Sequence, residues 1–271
     1  MKLITIPFSH FNARAKWALD HHGLAYREFG YMPMFHAFGV VRHTGGLRGR
    51  ADRVSTRLST PALLLDDGEV IADSGEIVRW ADAQGVRDPT RMLYPEAHRD
   101  EILEFEARLH DRLGGHTRRI AYANGLLETS TMRATARHNV GPVQASLFAI
   151  SSPLIGAMMR RALKISPEQG ARSRQAIAPE LESLSAFLSQ REYCFGGRFS
   201  AADLTLACML APLLRPPSYG AWLPPLEDFS DEVQAYVEAV RTTPVGAHAL
   251  RMFAEHRPVT SGKSRGSKAG E

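Results

Sequence analysis

The hydrophobic periodicity changes once along this chain, and that change limits the fold more than any other feature. Up to residue 84, short apolar runs alternate with single amphipathic stretches. After a Pro-, Gly- and Asp-rich segment, every apolar pattern repeats at helical spacing. In the first part, 2–6 reads as a strand broken by Pro7. Phe11, Ala15, Ala18 and Leu19 then mark one face of a helix that Gly23 stops in the position a C-terminal cap prefers. Residues 24–29 alternate as a second strand, and 35–42 suggest a helix. Residues 60–65 and 69–71 flank Asp66-Asp67-Gly68 as a hairpin. Asp73-Ser74-Gly75-Glu76 opens another helix with Ile77, Trp80 and Ala81 on its buried face. Beyond the linker, helices are predicted over 101–122, 131–138, 143–163, 167–190, 201–214, 231–241 and 245–255. The expected architecture is a small α/β domain over 1–84, a linker over 85–95, an all-helical domain over 96–256 and a disordered basic tail over 257–271.

A chain of 271 residues can bury a separate core in each part. Its formal charge of +4 draws on Lys263, Arg265 and Lys268 in the Ser/Gly-rich tail. No helix carries a dense basic stripe interleaved with aromatics, so nucleic acid is not an expected partner. Two cysteines, Cys194 and Cys208, fall short of a disulfide framework, and both are expected in helical surroundings. With no secretory leader at Met1, the reading is cytoplasmic. Residues 142–159 hold no charge, but Pro142, Gln144, Pro153 and Gly156 interrupt them; they read as a buried helix pair, and no membrane partner is expected. The histidines show no ligand spacing with cysteines or carboxylates, so no metal is expected, and no heptad array is visible.

The residues with chemical potential sit at helix starts. Ser9 precedes the first helix, where a serine either caps the backbone N–H groups or turns its hydroxyl to a ligand. Asp73 and Ser74 precede the third helix, where free N–H groups and the helix dipole favour a carboxylate. His10 reads as a surface residue, and no Ser-His-Asp signature or nucleophile elbow supports Ser9 as a nucleophile. Ser200-x-x-Asp203 reads as a reciprocal cap on a buried helix carrying Leu204, Ala207, Cys208 and Ala211.

Five patterns occur in the order found in one family. They are Ser9 with the helix ending at Gly23-Leu24; Ser59-Thr60-Pro61-Ala62-Leu63; Asp73-Ser74 ahead of Ile77; Leu93-Tyr94-Pro95; and Phe195-Gly196-Gly197-Arg198-Phe199-Ser200-Ala201-Ala202-Asp203. Together they resemble the cytosolic glutathione S-transferases, of a serine-type, bacterial-like kind. The resemblance implies a thioredoxin-like N-terminal domain holding glutathione as co-substrate and a helical-bundle C-terminal domain holding a small hydrophobic electrophile. It implies a homodimer with a detoxifying role. Ser9 would be the catalytic residue. Thr60 and Pro61, joined by a cis bond, would bind the peptide of glutathione, and Asp73 and Ser74 its γ-glutamyl end. A cation from Arg42, His43, Arg48, Arg50 or Arg53 would bind the glycine carboxylate, with Arg50 taken as the candidate. The electrophile pocket would draw on Phe11, Asn12, Arg112 and His116. Two departures stand out: a long arginine-rich stretch before Pro61, and Thr60 in place of a larger β-branched residue. The same resemblance leaves open a glutathione-dependent isomerase, lyase or dehalogenase, and a binding protein that keeps the fold without turnover.

A thiol pKa of about 8.5 leaves free glutathione mostly protonated at neutral pH. A hydroxyl donating to the thiolate contributes about 1.5–3 kcal/mol, which lowers that pKa by roughly one to two units.

Overall fold

Four short strands form the sheet of the first domain in the computed structural model, which describes residues 1–46, 49, 58–85 and 88–257. They are β1 (Lys2–Thr5), β2 (Arg27–Gly30), β3 (Ala62–Leu64) and β4 (Val70–Ile71), in the order β2-β1-β3-β4. β1 runs parallel to β2, and β3 runs antiparallel to both β1 and β4. Because strand side chains alternate, Leu3, Leu63 and Ile71 face one side, where α1 (His10–His21) and α3 (Ser74–Gln84) pack. Ile4 and Ala62 face the other, against Val40 of α2 (Phe35–Thr44). This is the expected thioredoxin-like arrangement.

The second domain is helical. α4 (Arg99–Leu109), α5 (Gly115–Ala121), α6 (Thr129–Asn139), α7 (Pro142–Ala162), α8 (Pro167–Leu188), α9 (Ala201–Leu214), α10 (Asp231–Arg241) and α11 (Pro244–His256) follow in order. Wider π turns at His110–Gly114 and Tyr122–Leu126 flank α5. α9 forms the centre, with every residue except Pro212 buried. Its predicted reciprocal cap is present: the Ser200 backbone N–H donates to Asp203 Oδ2 at 3.0 Å, and Asp203 is fully buried.

α1 and α9 pack against each other, so one core spans both domains. Trp17 of α1 is fully buried against Phe199 and Phe253. The linker is held through Leu93 and Tyr94, whose backbone N–H groups donate to the buried Asp82 carboxylate at 2.6 and 3.2 Å.

Four local expectations change. Residues 142–159 form one continuous helix, not a pair. Pro142 sits in its first turn, and the amide hydrogen missing at Pro153 is absorbed without a break. Half of α7 faces solvent, so its apolar composition does not signal burial on all sides. Cys194 lies in a turn before α9, while Cys208 is inside α9; both are buried and free. Arg257, read as the start of the tail, is buried with its guanidinium over Trp17 and 3.0 Å from Asp20 Oδ2. The rest of the tail and the candidates Arg48, Arg50 and Arg53 lie outside the described residues.

Candidate functional site

The register of the sheet brings the sequence motifs to one edge. β1 ends at Thr5 and leads through Pro7 to Ser9, while Ile4 pairs with Ala62, so Pro61 lies beside the exit of β1. Ile71 pairs with Leu63, which carries Asp73 and Ser74 to the same edge. The Thr60–Pro61 bond is cis, as the resemblance implied.

Ser9 occupies the N-cap position of α1, with φ −76° and ψ 129°, but its side chain makes no cap hydrogen bond. The backbone there is held firmly: its N–H donates to Ile6 O at 2.9 Å, and its carbonyl accepts from Ala13 N at 2.8 Å. The preceding residue is held from the second domain, since the Tyr219 hydroxyl donates to Phe8 O at 3.0 Å. Burial keeps that phenol well above its ordinary pKa, so it remains a donor at all working pH values. The Ser9 hydroxyl thus sits at a positive helix end on a fixed loop, uncommitted to the backbone.

Asp73 caps α3 through Oδ1, which accepts from Gly75 N at 2.7 Å and Glu76 N at 3.2 Å. Ser74 is buried, and Arg14 Nη1 donates to its Oγ at 3.4 Å. Arg14 also donates through Nη2 to Glu106 Oε1 of α4 at 2.6 Å. Burial works against the Arg14 charge, but Glu106, Tyr94 and Asp73 together outweigh it, leaving the guanidinium pKa raised. The γ-glutamyl candidate Ser74 is therefore wired to the second domain. Of the cations considered for a glycine carboxylate, His43 lies tilted against Phe29, with ring centroids 4.1 Å apart, and meets the Tyr31 hydroxyl at 3.1 Å, and burial lowers its pKa. Arg42 is the exposed cation that remains among the described candidates.

Ser9 opens on a cleft between the loop before α1 and the helical domain. Its wall is mostly apolar, with Met32, Leu127, Met132, Phe148, Met159 and Leu223 among its lining. Two cations face it. Arg118 of α5 has no carboxylate partner among the described residues, and Arg215, just after α9, has a buried Nη2 without a partner. Burial, then the neighbouring Arg241, lowers the Arg215 pKa to about 10, so it stays charged at neutral pH.

The four residues assigned to the electrophile pocket do not line this cleft. Phe11 packs against His110, with ring centroids 5.2 Å apart. Asn12 is buried with Oδ1 unpartnered, and Arg112 is exposed. His116 turns to α8, where its Nδ1 lies 3.1 Å from Ser173 Oγ. Sequence reasoning missed Arg118 and Arg215, and it misplaced His10. That ring is buried, lines the cleft beside Ser9 and lies tilted against Phe11, with ring centroids 4.0 Å apart. Burial, then Arg118 and His110, lowers its pKa to about 3, against the opposing effect of the Gly114 carbonyl. It is a neutral imidazole with a buried, unpartnered Nε2, and so too weak a base to hold a proton taken from a thiol.

The buried neutral state of His10 has a consequence for stability. Between pH 6.5 and about 3 the unfolded chain protonates this ring and the folded protein does not. Stability is therefore full above pH 6.5 and falls as pH drops through that window, by about 1.4 kcal/mol per unit for one proton. His21, lowered to about 4 mainly by burial, adds to the same limb. In urea titrations, His10→Gln should flatten the loss between pH 6 and 4 by about one proton's slope. An unchanged slope would contradict the neutral buried ring.

Away from the cleft, Cys194, Asp203 and His248 place three metal-capable atoms within 4.8 Å of one another, a grouping that sequence spacing did not reveal. Asp203 already accepts hydrogen bonds there from Cys194 N, Ser200 N, Ser200 Oγ and His248 Nε2, and the Cys194 thiol bonds to it as well.

A sequence profile described as the N-terminal domain of glutathione S-transferase matches residues 8–84, and one described as the C-terminal domain matches 167–239. The chain belongs to the glutathione S-transferase family. Solved family members share the fold at low identity. A glutathione S-transferase of Ceriporiopsis subvermispora, solved with glutathione, superposes with a TM-score of 0.61 at 16% identity, covering 96% of this chain and 98% of that one. Glutathione transferase GSTFuA3 of Phanerochaete chrysosporium gives 0.58 at 17% identity, covering 95% and 97%. A glutathione S-transferase of Methylobacillus flagellatus with glutathione bound gives 0.53 at 17%, covering 95% and 99%. No curated protein matches by sequence. The family profile covers Ser9, Thr60, Pro61, Asp73 and Ser74, and leaves α6 and α7 between its two halves.

Proposed function

We propose that this family member is a glutathione transferase in which Ser9 donates a hydrogen bond to the glutathione sulfur and the cleft behind it holds a hydrophobic electrophile. The observation that carries the reading is the Ser9 hydroxyl, uncommitted at a helix N-cap and facing an apolar cleft that contains Arg118 and Arg215. Glutathione would lie along the sheet edge, with its peptide at Thr60 and Pro61 and its γ-glutamyl end at Asp73 and Ser74. The hydrogen bond and the two guanidiniums favour the thiolate over the thiol, and the proton leaves to solvent, since neutral His10 cannot keep it. The sulfur lone pair then forms the C–S bond while the leaving group departs with its electron pair. The reading carries with it a cytoplasmic homodimer in a detoxifying role.

Ser9→Ala tests it. The variant should retain glutathione on an immobilised column while the bound thiol pKa rises by roughly one to two units. At pH 7 kcat/KM toward an aromatic electrophile should fall about ten- to hundredfold, and the deficit should shrink as pH rises past the new pKa. Equal pH profiles for both proteins would remove Ser9 from the chemistry. Failure of the wild type to bind glutathione would leave a binding protein with this fold. The paired arginines also suit a glutathione-dependent isomerase or dehalogenase, in which negative charge builds on substrate away from sulfur. Recovery of free glutathione after turnover separates that outcome from conjugation.

A further inference from the structure

Between Thr129 and Ser166 the chain carries five basic side chains, Arg133, Arg137, Arg160, Arg161 and Lys164, and no aspartate or glutamate. This stretch folds as the α6–α7 hairpin. One face of α7, with Ala145, Phe148, Ile155 and Met159, is buried, and Phe148 and Met159 line the cleft. On the opposite face Val143, Leu147, Ile150, Leu154 and Met158 stand exposed, Val143 to 74% and Ile150 to 80%. Steps of four and three residues set them in one line, an apolar ridge where a surface helix ordinarily carries charge.

The charges around the ridge define its partner. Arg133 Nε donates to Ala149 O at 3.0 Å and Ser152 Oγ at 3.3 Å, which ties the α6 guanidinium to the flank of α7 away from the ridge line. Arg161 falls two turns beyond Leu154 on the ridge line, and Lys164 follows just past the helix end. Arg160 is paired with Glu128 at 3.1 Å. A second copy of this face would meet the ridge with the same cations. Parallel helices would oppose Arg161 to Arg161, and antiparallel ones would set Arg161 and Lys164 against a helix N-terminus that is itself positive. Lipid phosphates with acyl chains beneath them match both features: apolar side chains enter the interface and guanidiniums reach the headgroups. α7 is long and apolar enough to cross a bilayer, but its inner face belongs to the core, so it lies in the plane of the surface.

We propose that the α6–α7 hairpin docks the protein on an anionic lipid bilayer, replacing the sequence expectation of no membrane partner. Docking would place the cleft wall formed by Phe148 and Met159 directly above the bilayer, where apolar electrophiles concentrate.

Co-sedimentation of the full chain with sucrose-loaded vesicles tests this. Binding to phosphatidylcholine vesicles containing phosphatidylglycerol should be about tenfold or more tighter than to phosphatidylcholine alone, and should weaken as salt is raised. Ile150→Asp with Leu154→Asp should reduce it by at least about tenfold with the thermal transition unchanged, since both positions are exposed. Arg161→Gln with Lys164→Gln should weaken binding to the anionic vesicles alone. Equal binding to both vesicle types, or none to either, overturns the proposal. A wild type that ignores vesicles, but loses solution mass on the Ile150 and Leu154 substitutions, assigns the ridge to a second copy.

Discussion

Glu106→Ala should lower the unfolding free energy by about 3–5 kcal/mol, the cost of leaving a buried charge without its partner. Glu106 Oε1 accepts from Arg14 Nη2 and from Thr205 Oγ1, each at 2.6 Å, and Oε2 accepts from the Tyr94 hydroxyl at 2.8 Å. Its three partners come from α1, α9 and the linker, so the carboxylate ties both domains together. Removing it leaves the Arg14 guanidinium, only 5% exposed at its side chain, facing two hydroxyls. Arg14→Met with Glu106→Leu should recover most of the loss, because a buried ion pair exchanged for apolar groups of similar volume is often neutral. Urea midpoints of the two variants check this, and equal destabilisation of both would show that the hydroxyl contacts dominate. The single variant should also bind glutathione more weakly, as Arg14 orients Ser74. The double variant, though stable, should not regain that affinity.

The elements legible in the sequence are those with local causes. Pro7, Gly23 and the caps at Asp73 and Ser200 act within a few residues, so strand breaks and helix starts follow from residue type. The order of motifs likewise exposed the sheet-edge residues. Features set by distant segments stayed hidden. His10 looked like a surface residue because the wall that buries it, around His110–Gly114, arrives only in the second domain. From this part of the chain Arg118 reaches the cleft, and Arg112 and His116 do not, because the π turn at His110–Gly114 shifts the phase of the helix and changes which face meets Ser9. Whether Ser9 caps or faces outward is a rotamer choice, invisible to residue type. By composition the α7 ridge reads as core, because composition reports apolarity and not the side from which it is covered.

Asp203→Ala should destabilise by about 4 kcal/mol or more, lowering the thermal midpoint by roughly 10 °C. The carboxylate is fully buried and accepts from two backbone N–H groups, Cys194 at 2.8 Å and Ser200 at 3.0 Å, as well as from Ser200 Oγ and His248 Nε2. Truncation leaves these buried donors without their acceptor, and each carries its own desolvation cost of about 1–3 kcal/mol. Asn in place of Asp is expected to recover little, since its amide nitrogen must face one of those N–H donors. The consequence reaches the cleft, because α9 begins at this cap and ends at Leu214, immediately before Arg215. A frayed start to α9 loosens the position of that cation and of Tyr219, which holds the Ser9 loop. Cys194→Ala removes one weak thiol bond to Asp203 and leaves the backbone donor in place, so it should cost far less. If Cys194→Ala and chelator treatment of the wild type each matched the Asp203→Ala loss in a thermal scan, the cluster would be a metal centre instead of a hydrogen-bonded cap.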